Sequence, residues 1–127
     1  MKNEFKLKTC TKCGATVEIM KDCTCDNCGI KCCGQEMVEV KPNTVDASIE
    51  KHMPTYEVIG QYIVASVNHV MEDEHYIEYL ALDYDNLTAK KYFKPGEKPT
   101  AVFPYIEGSR LYAYCNKHGI WQATINK

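Results

Sequence analysis

Arg110-Leu111-Tyr112-Ala113-Tyr114-Cys115-Asn116-Lys117-His118-Gly119-Ile120-Trp121 sets two apolar runs on either side of a tight polar turn. Tyrosines alternate with aliphatics in the first run, a period of two that suits a half-buried sheet face. The stretch therefore reads as two strands, over 110–115 and 120–125, joined by the turn. That turn places a thiol and an imidazole, Cys115 and His118, in a Cys-x-x-His pair. By itself such a pair can be a buried thiol beside a surface histidine. The remaining histidines give it weight: there are four in all, and His52, His69 and His75 fall in expected loops or at strand ends, where side chains are free to converge on a metal.

Working outward, short apolar and β-branched runs separated by turn residues predict strands over 58–67, 76–84, 87–93 and 100–105. Asp85-Asn86 reads as a hairpin turn and Lys94-Pro95-Gly96-Glu97-Lys98-Pro99 as a wider one. The expected architecture is an all-β, immunoglobulin-like sandwich with no helix of useful length. If each short connection reverses the chain, the first strand ends at the pole carrying His69 and the second leaves it at His75. The fifth strand then arrives at the same pole with Cys115 and His118. His52 is not placed by this count, because it precedes the first strand and needs a loop across the pole.

The N-terminal end has a different chemistry. Of eight cysteines, all but Cys115 lie between positions 10 and 33. A segment of under about 40 residues buries too little surface to fold without a metal, a disulfide or a partner chain. The start, Met1-Lys2-Asn3-Glu4-Phe5-Lys6-Leu7-Lys8, has no apolar core for secretion, and no run is long enough to span a membrane. The expected setting is cytoplasmic, where clustered cysteines read as metal ligands. A formal charge of −2 with 25% charged residues implies no nucleic-acid partner. Cys10-Thr11-Lys12-Cys13-Gly14 is a metal knuckle, two thiols with a glycine that lets the backbone turn back. Two pairs could complete it. Spacing favours Cys25 and Cys28, as in a zinc ribbon, because adjacent ligands such as Cys32 and Cys33 diverge along an extended backbone. Cys23 reads as a spare thiol. Residues 38–44, with Lys41-Pro42-Asn43, read as a linker, dividing the chain into domains 1–38 and 39–127.

Four imidazoles and one thiolate exceed the four ligands usual for zinc and the donor set of blue copper. A square of nitrogens with sulfur beneath leaves one open position, which suits iron and a substrate. At this point Glu50-Lys51-His52-Met53-Pro54, His69-x-Met71-x-x-x-His75-Tyr76-Ile77 and Cys115-Asn116-x-His118-Gly119-x-Trp121 resemble the iron site of the superoxide reductases. Cys10-x-x-Cys13 with Cys32-Cys33-Gly34 resembles the small desulforedoxin-type, rubredoxin-like domain of their two-domain members, the desulfoferrodoxins.

The resemblance implies a non-haem iron on His52, His69, His75 and His118 with Cys115 on the axis, reducing superoxide to hydrogen peroxide and protecting against oxidative stress. It implies that Glu50 fills the open position of the ferric state and that Lys51, near the pocket mouth, attracts the anion. It also implies a second centre of iron, or zinc, on Cys10, Cys13, Cys32 and Cys33, a homodimer, and an electron donor such as rubredoxin. Two departures stand out. Cys23, Cys25 and Cys28 are extra, and Val70 replaces a common proline. The alternative is a non-catalytic electron-transfer protein with two iron centres; a metal-stapled binding module is a third reading.

Overall fold

The computed structural model describes residues 5–26, 28–44 and 47–127. Residues 1–4 of the expected small domain, and Asn27 of the Cys25–Cys28 knuckle, lie outside them. The chain forms two compact units, residues 1–41 and 42–127.

In the first unit, β1 (Leu7–Thr9), β2 (Thr16–Glu18) and β5 (Val38–Val40) form an antiparallel sheet in the order β2-β1-β5, and β3 (Lys31–Cys32) pairs with β4 (Gln35–Glu36). Its small core holds Leu7, Cys10, Ile19 and Met37. The turn after β1 closes through Gly14 N–H to the Cys10 carbonyl, 2.9 Å, and Cys10 N–H to the Ala15 carbonyl, 2.8 Å. Gly14 sits at φ +82°, where a Cβ would be strained. Residues 38–40, read as linker from the sequence, are instead a strand. Leu7 pairs with Val40 and Thr9 with Val38, so β1 gains a second neighbour.

The second unit opens with one helical turn, α1 (Ile49–His52), and continues as a sandwich. One sheet has the order β10-β7-β6, from β6 (Thr55–Ile59), β7 (Tyr62–Ser66) and β10 (Thr100–Pro104). The other has the order β12-β11-β8-β9, from β8 (Ile77–Tyr84), β9 (Leu87–Tyr92), β11 (Arg110–Cys115) and β12 (Gly119–Thr124). Ile63, Ala65, Ala101 and Phe103 of the first sheet share one buried cluster with Ile77, Leu80, Leu82, Leu111, Ala113 and Cys115 of the second. Ile77 and Leu80 could not both face inward in a regular strand, whose side chains alternate. A register shift resolves this: Tyr114 pairs with Tyr79 but Cys115 with Ile77, leaving Glu78 as the extra residue of a bulge.

The strand expected over 58–67 is two strands. Gly60, at φ +60°, and Gln61 turn the chain between β6 and β7, with Ile59 opposite Tyr62 and Thr55 opposite Ser66. This hairpin answers the question that the parity count leaves open. Because β6 starts beside the end of β7, His52, three residues before β6, reaches the pole of His69 with no long crossing loop.

Candidate metal centres

The first cluster is built from three segments at that pole: α1, the β7–β8 loop and the β11–β12 turn. His52 ends α1, His69 follows β7, His75 precedes β8, and Cys115 and His118 flank the β11–β12 turn. Their donor atoms all lie within 4.8 Å of one another. Ring centroids run 4.8 Å from His52 to His69, 4.6 Å from His69 to His75, 5.0 Å from His75 to His118 and 4.7 Å from His118 back to His52. The His52–His75 diagonal is 6.4 Å, close to that of a planar square on such sides. Neighbouring rings meet nearly edge-on, at 73–88°.

Backbone carbonyls decide which nitrogen of two rings faces inward. His52 Nδ1 donates to the Ser48 carbonyl, 2.7 Å, and His69 Nδ1 to that of Val70. A carbonyl only accepts, so in both rings Nε2 keeps its lone pair. His52 Nε2 lies 2.9 Å from His118 Nδ1, and the Cys115 Sγ lies 3.4 Å from His69 Nε2 and 3.8 Å from His118 Nδ1. Adjacent donors around one ion, at metal–nitrogen distances of about 2.1 Å and metal–sulfur of about 2.3 Å, stand about 3 Å apart, so the spacing fits. Buried His75 Nε2 has no hydrogen-bond partner among the described residues, an orphan that an ion would satisfy.

Electrostatics suit a cation as well. Burial, ahead of the neighbouring imidazoles, holds the pKa values of His69 and His118 below the ordinary value, so both stay neutral and able to ligate. Burial pushes the Cys115 thiol up, against the backbone N–H groups of Lys117 and His118, which favour the thiolate. A metal ion at this sulfur would displace the proton. Cys115 is wholly buried.

Three residues that sequence reasoning left without a role hold the cluster together. Asn116 accepts from the Tyr76 N–H, 3.0 Å, and donates to the Glu74 carbonyl, 3.0 Å, tying the Cys115–His118 turn to the His75 loop. Trp121 stacks on His52 at 5.1 Å and donates from Nε1 to the His118 carbonyl, 3.1 Å. Gly119, at φ +76°, lets β12 begin directly after His118. Met71 is turned away from ligation, its sulfur accepting the Ile77 N–H at 3.4 Å. Glu50 and Lys51 lie exposed on α1, immediately before the buried His52.

The second cluster lies in the first unit. Cys10, Cys13, Cys32 and Cys33 have sulfurs within 4.8 Å of one another, with Cys13–Cys32 at 3.6 Å and Cys32–Cys33 at 3.9 Å. Tetrahedral thiolates at metal–sulfur distances of about 2.3 Å stand about 3.8 Å apart, so these residues fit iron or zinc. The spacing argument for Cys25 and Cys28 fails here for a backbone reason. Cys33 takes φ +55° and Gly34 φ +76° in the β3–β4 turn, so the chain is not extended and adjacent sulfurs converge. Cys28 is instead bridged to Cys23, which is therefore not a spare thiol, and Cys25 is free and exposed. The backbone N–H groups of Cys13 and Lys12 bring Cys10 down to about 7, while its thiol neighbours, Cys13 first, push Cys32 up to about 12.

With this geometry in hand, likeness to known proteins becomes informative. The family model described as desulfoferrodoxin matches residues 44–124. The desulfoferrodoxin of Desulfarculus baarsii is 40% identical, and that of Nitratidesulfovibrio vulgaris 38%, each match covering 97% of this chain and 98% of the relative. The superoxide reductase of Treponema pallidum superposes with a TM-score of 0.67 at 25% identity, over 93% of this chain and 98% of its own. That of Giardia intestinalis gives 0.53 at 26% identity, over 61% of this chain and 99% of its own. Four converging histidines with a buried cysteine, a separate four-cysteine cluster and these near full-length relatives together make the chain a member of the desulfoferrodoxin family.

Proposed function

We propose that the protein is a superoxide reductase, an oxidoreductase that passes one electron to superoxide and, with two protons, releases hydrogen peroxide. The observation that carries this reading is the square of four imidazole nitrogens with one buried sulfur beside it, five donors where an octahedral ion takes six. Bound there, ferrous iron supplies the electron. His52, His69, His75 and His118 would hold it through imidazole nitrogens, and Cys115, as thiolate, would add electron density to it. Lys51 is exposed beside the site and draws the anionic substrate toward it; steering of this kind raises on-rates by roughly 10- to 1000-fold. Glu50, exposed on α1 two residues before His52, would offer its carboxylate to the oxidised metal.

We assign the second centre, on Cys10, Cys13, Cys32 and Cys33, to iron or zinc. The first unit, residues 1–41, then corresponds to the desulforedoxin-like domain expected over 1–38, and the second, residues 42–127, to the reductase domain expected over 39–127, the boundary moving past β5. A homodimer in the cytoplasm, re-reduced by a carrier such as rubredoxin, completes the reading. It is tested by Cys115→Ser, since a serine oxygen is a poorer electron donor to the metal than a thiolate. The variant should bind iron yet lose the reaction with superoxide, and full retained activity would overturn the proposal.

A further inference from the structure

The three cysteines that neither metal cluster uses lie together between β2 and β3. Cys23 and Cys28 form a disulfide, and Cys25, inside the loop it closes, is a free exposed thiol. A staple role would give this bridge little to do. It spans a sequence separation of 5, and short loops are those whose closure constrains the unfolded chain least. The three-stranded sheet and the four-cysteine cluster already tie the unit together. Cys23 is exposed, so an incoming thiolate can reach its sulfur, and exposed disulfides are the exchangeable ones.

The surroundings suit exchange. Cys23 and Cys28 line a cavity of about 310 Å³ with Ile19, Ile30, Lys8 and Lys21. The isoleucines offer an apolar wall for the body of a donor. The two lysines bring positive charge to the cavity that the sulfurs line, and positive charge favours departure of a thiolate. The Asp22 carboxylate, whose Oδ1 lies 3.7 Å from the Cys23 sulfur and opposes an incoming anion, is countered by Lys6 at 2.8 Å and engaged by the Cys23 N–H at 2.9 Å.

We propose that Cys23 and Cys28 form a two-electron thiol–disulfide couple that exchanges with a dithiol donor seated at this cavity, separate from both metal clusters. A donor thiolate attacks Cys23 Sγ, the Cys23–Cys28 bond breaks, and Cys28 leaves as a thiolate that takes up a proton. The donor's second thiol then attacks its own sulfur in the mixed disulfide, releasing Cys23, which is protonated in turn. The donor leaves oxidised to its disulfide, and two electrons and two protons have entered the protein.

The test uses the full, metal-loaded chain in its Cys25→Ser form, which leaves the couple intact and simplifies the thiol count. Dithiothreitol is added to native protein, and differential alkylation with mass mapping follows each cysteine while absorption follows the metal centres. Cys23 and Cys28 should become alkylatable together, within roughly tenfold of the rate in guanidinium-unfolded protein, with both metal signatures unchanged. Replacing Lys8 and Lys21 together by glutamate should slow the step roughly threefold or more. A bridge that resists reduction until the unit unfolds is a staple and overturns the proposal. So does finding that Cys23 and Cys28, once reduced, remain free thiols in excess oxidised glutathione.

Discussion

Replacing Asn116 with alanine should loosen the histidine–cysteine cluster without removing a ligand. The side chain makes two hydrogen bonds across loops, one from the Tyr76 N–H and one to the Glu74 carbonyl, each 3.0 Å. A hydrogen bond of this kind contributes about 0.5–1.5 kcal/mol net. Asn116 is exposed, so water replaces part of what is lost, and the expected cost is about 1–2 kcal/mol. In a domain of this size that lowers the melting temperature by roughly 5–10 °C. The larger effect falls on the metal, because the two bonds join the turn bearing Cys115 and His118 to the loop bearing His75. Losing such an outer support typically costs about 10- to 100-fold in metal affinity. Asn116→Asp keeps the acceptor for Tyr76 but not the donor to Glu74, so it should fall between wild type and alanine. Thermal melts of iron-loaded protein and competition with a chelator measure both quantities. If Asn116→Ala melts and binds iron as wild type does, the inference that this residue positions the cluster is wrong.

Lys51→Ile should slow the bimolecular reaction with superoxide at low salt and flatten its ionic-strength dependence; an unchanged rate on pulse radiolysis removes Lys51 from the mechanism. Glu50→Ala should leave that step nearly intact and alter the ferric absorption spectrum, and an identical spectrum excludes the carboxylate as a ligand. Cys33→Ser should empty the four-sulfur centre while the histidine-rich site keeps its metal, read as metal content per chain; loss of both contradicts independent centres. For iron-free protein the pH dependence has a definite sign. His69 and His118 titrate below the ordinary imidazole value, so the unfolded chain binds more protons as pH falls through about 6.5. Stability from these groups is present above that pH and is lost below it; urea unfolding from pH 8 to 5 measures it, and a flat profile refutes the burial argument.

Much of this was legible in the residues, and the failures have physical causes. The β11–β12 hairpin could be read because alternation and a polar turn agree with each other, and the ladder runs from Arg110 opposite Thr124 to Cys115 opposite Gly119. The β6–β7 hairpin was hidden inside one β-branched run, where Gly60-Gln61 is the sole turn signal and adjoins Ile59 and Tyr62. That miss made His52 look remote. The convergence of Cys32 and Cys33 depends on a positive φ at a cysteine, which composition does not announce. Val38–Val40 is too short to stand out from a linker until β1 is known to lie beside it. The Cys23–Cys28 bridge is likewise a matter of proximity, and spacing alone fits several pairings of three cysteines.

The reductase reading rests most directly on the product. Anaerobically reduced, iron-loaded protein given a pulse of superoxide should yield one hydrogen peroxide for each superoxide consumed, with iron oxidised in step. Half that yield with oxygen released would mean dismutation, and an absence of fast consumption would contradict the account.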